Sequence, residues 1–130
     1  EQKVRIALNM VGLDFDTFTG RNPFTLSAGE RRRVAIASAL IMERPIILFD
    51  ETTLGLDWEG RKTMVLLLRD LKAADKTIVL MTHDVEFATQ TADDVVLMDR
   101  GAVVWKGAID APDLPQQFIV DHLGVKALAP

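Results

Sequence analysis

Two adjacent carboxylates, Asp50 and Glu51, directly follow the apolar run Ile46-Ile47-Leu48-Phe49. Charges at the end of a buried strand need a partner or a cation. Neighbouring side chains on a strand point to opposite faces, so the two acids are expected to do different work. In a nucleotide site, one would hold Mg2+ through water and the other would polarise an attacking water as general base. The plainer alternative is a solvated strand end with ordinary turn acids. Upstream, Leu26-Ser27-Ala28-Gly29-Glu30 carries Ser27 and Glu30 at capping-box spacing, ahead of an apolar-periodic stretch. Ala28 and Gly29 are small enough to let phosphate oxygens reach the N–H groups of the helix start, although a cap alone also explains the segment. Arg31-Arg32-Arg33 reads most simply as a solvated basic face; it would also strengthen an anion site. His83 follows a second apolar run and precedes Asp84. It is either a satisfied turn residue or a hydrogen-bonding partner for a terminal phosphate or the attacking water. Asp57 closes the loop behind the acids, where it suits a helix cap near Glu59.

The elements that must position these residues alternate in type. Val4, Ala7, Leu8 and Val11 share one helical face, and Gly12 supplies a stop. Residues 13–25, rich in Asp, Thr, Gly, Asn and Pro, read as a loop. Residues 27–42 read as a helix, ended ahead of Pro45. The runs at 46–49 and 77–81 read as strands buried on both faces. Between them, Met64, Leu67, Leu68 and Leu71 form one stripe of a helix over 60–74, with Arg61, Lys62, Arg69 and Lys72 outside it. A short helix is expected at 85–91, a hairpin at 94–98 and 102–105 across Asp99-Arg100-Gly101, an Asp/Pro-rich loop at 108–115 and a last helix at 115–123. Strand–helix–strand alternation predicts an α/β layer with parallel strands, whose site lies beyond the carboxyl ends of the strands. Those ends are Asp50-Glu51 and Thr82-His83.

The chain has 130 residues, 15 Lys and Arg against 19 Asp and Glu, and 48% hydrophobic residues. That excludes a disordered tail. Its longest apolar runs, about five residues, are far short of the roughly 20 a spanning helix needs. A net charge of −4 argues against a nucleic-acid binder, so no nucleic-acid partner is expected. The absence of cysteine removes disulfides, zinc–thiolate sites and thiol nucleophiles, and fits a reducing compartment. No basic head with an apolar stretch marks residues 1–20 as a signal peptide. The chain opens directly in a helical pattern, as the middle of a longer protein would.

Taken in order, the motifs over residues 26–107 resemble the ATPase subunits of ABC transporters. Residues 26–30 match the family's LSGGQ signature, and Arg32-Arg33-Val34-Ala35-Ile36-Ala37 continues as the family does. Residues 46–51 match the Walker B strand with its catalytic glutamate. Gly55-Leu56-Asp57 matches the D-loop, Thr82-His83-Asp84 the switch histidine, and Asp99-Arg100-Gly101 the turn that follows. Asn22-Pro23-Phe24-Thr25-Leu26-Ser27, with Gly12-Leu13 upstream, looks most like the energy-coupling-factor branch, which includes cobalt and vitamin importers. Several positions depart from the pattern. Ala28 stands at a usual glycine, Glu30 at a usual Gln, Thr52 and Trp58 at usual prolines, and Leu54 at a usual small residue. No G-x-x-x-x-G-K-[ST] occurs in the 130 residues.

The resemblance implies a partial P-loop NTPase core of α/β class. Its sheet would be mostly parallel with a C-terminal β-hairpin, and the P-loop half would be lacking. Residues 1–25 would end the helical subdomain, 26–107 would form the second half of the ATPase core, and 108–130 would be a tail. The family's scheme makes Glu51 and His83 catalytic and Asp50 the Mg2+ ligand. Ser27, Ala28, Gly29 and Glu30 would serve the ATP of a second ATPase subunit, identical or not, and Asp57 would communicate across that interface. Integral membrane subunits would be partners, at the cytoplasmic face of the membrane. Two other expectations compete: a soluble ABC-type ATPase acting on ribosomes or DNA, and a non-catalytic dimerisation or docking module. A sheet without its P-loop strand should also expose an edge and an apolar face, and so favour self-association.

Overall fold

Helix α1 (Gln2–Met10) ends where its sequence says it must. Gly12 takes a positive φ of 69°, its N–H donates to the Asn9 carbonyl at 3.0 Å, and the Leu13 N–H reaches back to Leu8 at 2.9 Å. This double bond pattern satisfies the last carbonyls, and it needs the left-handed backbone that glycine adopts without strain. Leu8, Val11, Leu13 and Phe15 are thereby turned into the core. The structure, a computed structural model, describes residues 1–115. Their contacts divide the chain into two compact units, Glu1–Met81 and a second beginning at Thr82.

In the first unit, the segment expected as a loop contains two short helical pieces. Asp14 caps α2 (Phe15–Phe18), accepting from both the N–H and the hydroxyl of Thr17, and Asn22 caps a single 3-10 turn at Pro23–Thr25. The same Asp, Asn and Pro residues that mark a loop by composition act here as caps. Helix α3 (Ala28–Leu40) packs on α1. Strands β1 (Ile46–Asp50) and β2 (Thr77–Met81) pair in parallel with Ile46 opposite Thr77 and Asp50 opposite Met81. Between them runs α4 (Trp58–Ala73), whose stripe of Met64, Leu67, Leu68 and Leu71 is buried and which packs on β2.

The expectation that both strands are buried on two faces is not met. Phe49 is buried, and Ile47, Ile78 and Leu80 are half-buried, but Ile46 is 56%, Leu48 65%, Val79 43% and Met81 45% exposed. The alternation follows from strand geometry: one face receives a helical layer and the other receives none among the described residues. Continuous apolar sequence states that two coverings are wanted, and the described residues supply one.

The second unit is built on α5 (Val85–Thr91) and the antiparallel pair β3 (Asp94–Asp99) and β4 (Ala102–Ala108). Arg100 and Gly101 both have positive φ, the type I′ geometry that matches strand twist in a two-residue hairpin loop. The pairing slips between Leu97 and Met98, leaving Val104 as an extra residue in β4. Val85, Leu97 and Leu114 form the small core, with Val95 and Trp105 packed against it. The helix expected at 115–123 falls outside the described residues but for Pro115.

Candidate functional site

The paired acids sit where the parallel strands end. Asp50 is the last residue of β1, and its carboxylate is on the exposed side of the strand with Ile46 and Leu48. Glu51 still donates its N–H to the Met81 carbonyl, at 2.9 Å, and so extends the ladder by one bond. Its backbone then departs from the strand, with φ at 47°. A residue with a Cβ held in that region carries strain of order 1–3 kcal/mol, and such residues concentrate at functional sites. Strand alternation therefore does not set the Glu51 direction, contrary to the expectation from sequence; the left-handed turn does. Glu51 is half-buried, with Oε2 shielded from solvent.

The following loop is folded by its own backbone. Leu54 N–H bonds the Glu51 carbonyl at 3.3 Å and Leu56 N–H the Thr53 carbonyl at 3.2 Å, with Gly55 at a φ of 75°. Thr52 and Thr53 are buried, whereas Leu54 and Trp58 face solvent. The Thr52 hydroxyl has no hydrogen-bond partner among the described residues. A buried hydroxyl left unmatched costs about 1–3 kcal/mol. Thr52→Val, which keeps the shape, is therefore expected to raise stability to urea by about 1 kcal/mol; a loss of similar size would show that the hydroxyl is needed. Asp57 is the N-cap of α4, accepting from the Gly60 N–H at 2.8 Å, which is the cap expected from sequence. A Cβ on Gly60 would lie 2.9 Å from the same Asp57 oxygen, so only glycine leaves that cap undisturbed.

The capping box forms in full at the start of α3. Ser27 Oγ accepts from the Glu30 N–H at 3.2 Å, and Glu30 Oε2 accepts from the Ser27 N–H at 2.7 Å. The Ser27 N–H bond, more than the hydroxyl or nearby Arg21, holds the Glu30 carboxyl below its ordinary range. Arg21 bonds the other oxygen of Glu30 at 3.2 Å, so Glu30 is committed to the helix start. Ser27 and Ala28 are exposed, and a Cβ on Gly29 would enter open space. The backbone here is open to approach from outside.

The arginine run is not simply a solvated face. Arg31 donates to the Leu26 carbonyl and Arg32 to the Leu54 carbonyl, while half-buried Arg33 lies beside Gly12. Reading the run as charge alone missed these bonds, because backbone acceptors leave no mark in sequence. His83 lies in the second unit, exposed, two residues beyond β2. Asp84 caps α5 by accepting from the Phe87 N–H at 3.0 Å, and its own N–H donates to the Thr82 hydroxyl at 3.0 Å. Among the described residues no group of three or more His, Cys, Asp or Glu could hold a metal ion.

The geometry has relatives. The ABC transporter family profile matches residues 1–54. The chain is 43% identical over 104 residues to the energy-coupling factor transporter ATP-binding protein EcfA2 of Thermotoga maritima, covering 80% of this chain and 39% of that protein. It is 46% identical over 107 residues to the protein of the same name from Streptococcus sanguinis, covering 82% and 38%. The chain therefore spans about two-fifths of the length of these curated relatives. Its fold matches the dimeric structure of MJ0796, a bacterial ABC transporter cassette, with a TM-score of 0.76 and 32% identity over 85% of this chain and 47% of that one. It also matches cbiO1 from Clostridium perfringens, part of the ABC transporter complex cbiONQ, at 0.70 and 33%, covering 83% and 43%.

Proposed function

Because this chain belongs to the ABC transporter ATP-binding family, we propose that it is the acid-bearing C-terminal part of an ATP-hydrolysing subunit of an energy-coupling-factor importer. The observation that carries the reading is the left-handed Glu51 at the end of β1, directly behind Asp50. A general base must lie within hydrogen-bond reach of the water it activates, and the positive φ turns the Glu51 backbone off the strand direction at the carboxyl end of the sheet. The expected cargo class is that of cobalt and vitamin importers, as the sequence around Asn22–Ser27 suggests.

The residues fit the groups they would meet. Exposed Ser27 and Ala28 and the open Gly29 suit the phosphates of an ATP held by a second ATPase subunit, at the N-terminal end of a 13-residue helix. Glu30 and Asp57 act by fixing the starts of α3 and α4. Asp50 would hold Mg2+ through water, and the ion would neutralise charge on the phosphates. Glu51 takes the proton of the attacking water, and His83 hydrogen-bonds the terminal phosphate. The phosphate cradle would come from sequence outside these 130 residues, covering the bare face of β1 and β2; by itself the chain would not hydrolyse ATP. The boundaries expected from the resemblance, 1–25, 26–107 and 108–130, belong to this reading.

Affinity purification of the full-length subunit from mild-detergent extracts tests it. An integral membrane protein and a second ATPase subunit should co-purify in stoichiometric amounts. Recovery with ribosomes or DNA would favour the soluble ATPase, and recovery of neither, with no MgATP binding, the non-catalytic module.

A further inference from the structure

We propose that Arg32 is a positioning residue that ties the start of α3 to the loop behind the paired acids, so that the two move together. The Arg32 Nη1 donates to the Leu54 carbonyl, across 22 positions of sequence. Its neighbours do other work, Arg31 on the Leu26 carbonyl and Arg33 beside Gly12, so the bond belongs to one arginine and not to the run. The acceptor sits at the middle of the 51–57 loop. Thr52 and Thr53 are buried on the near side of the loop, but the Leu54 side chain is 59% exposed, and the backbone bonds beside it are two short turns, so Arg32 is the long-range partner of the loop's middle among the described residues. The ends of the loop are fixed differently, by the Glu51 bond to β2 and the Asp57 cap on α4.

At the other end of the connection, Arg32 lies in the second turn of α3, two residues beyond the Glu30 that closes the capping box. A rigid first turn transmits any displacement of Ser27–Gly29 to the guanidinium, and from there to Leu54. A bond from a charged donor is stronger than one between neutral groups, enough to bias the loop by about tenfold. Lysine keeps the charge and most of the length but not the planar fork, so it should hold the carbonyl less well. The consequence for catalysis rests on the proposed ATPase reading: Arg32 sets the loop, and hence Asp57, without touching nucleotide.

Hydrogen exchange on the 130-residue chain tests the tie without ATP. Arg32→Ala should raise exchange across residues 52–57 by about tenfold, leave β2 unchanged, and be partly rescued by Arg32→Lys; Arg31→Ala should leave 52–57 as in the parent sequence. Unchanged exchange in Arg32→Ala, or an equal effect from Arg31→Ala, would overturn the proposal. Should Arg32→Ala fail to fold, Arg32→Lys carries the same comparison with a smaller rise. In the full-length subunit, Arg32→Ala should lower kcat while KM for MgATP stays within about twofold; a raised KM with unchanged kcat would contradict the positioning role. A subunit without ATPase activity would sink the functional reading and leave the exchange result standing, so the two failures are distinguishable.

Discussion

Glu51→Gln in the full-length subunit should reduce steady-state ATP hydrolysis by about 100-fold or more while nucleotide binding survives, since a positioned general base contributes about 10²–10⁴. Gln keeps the size of the side chain and the same backbone demands at a φ of 47°. The substitution therefore removes the proton acceptor without a new packing cost. Thermal unfolding should shift by no more than a degree or two, and the variant should accumulate with ATP bound, visible as retained nucleotide after gel filtration. Normal turnover in Glu51→Gln would remove the main support for the proposed function. Asp50→Asn is the natural contrast: it should weaken the dependence on Mg2+, because Asp50 is exposed at the strand end and offers the only acid on that face of β1.

The chain by itself is expected to self-associate through the bare face of β1 and β2. Ile46, Leu48, Val79 and Met81 are each between 43% and 65% exposed on one side of a parallel pair. Fully covering such a side chain is worth about 1.5–3 kcal/mol, so the four leave several kcal/mol unrealised. Parallel sheets are found covered on both faces, and unpaired strand edges recruit further strands. Light scattering should report dimers or larger species at concentrations where Leu48→Lys, a charge placed on the same face, is monomeric. A monomeric parent chain at high concentration would argue against the face as an association surface. In the full-length subunit the same face would be occupied, and Leu48→Lys would there impair folding.

Much of the fold is written in local pattern. The α4 stripe, the stop at Gly12, the Ser27–Glu30 box, the cap at Asp57 and the hairpin turn at Arg100-Gly101 each depend on residues close in sequence, and each is found as expected. The residues of the proposed site stand out in the sequence for the same reason: the acids and the histidine lie at or just beyond the ends of apolar strands, and Ser27 is itself a cap. Residues 13–25 were less legible, because Asp and Asn favour turns and helix starts alike, and only the backbone path decides between them.

The sequence by itself determined which residues could bear chemistry and in what order they come, since capping, periodicity and turn chemistry act within a few residues. The tertiary structure decided three things that local rules cannot reach. It turned Glu51 out of the strand by a left-handed residue, gave Arg32 a backbone partner 22 positions away, and left one face of an apolar sheet uncovered among the described residues. Each depends on what meets the segment from elsewhere in space: a carbonyl, a neighbouring strand or a packed layer.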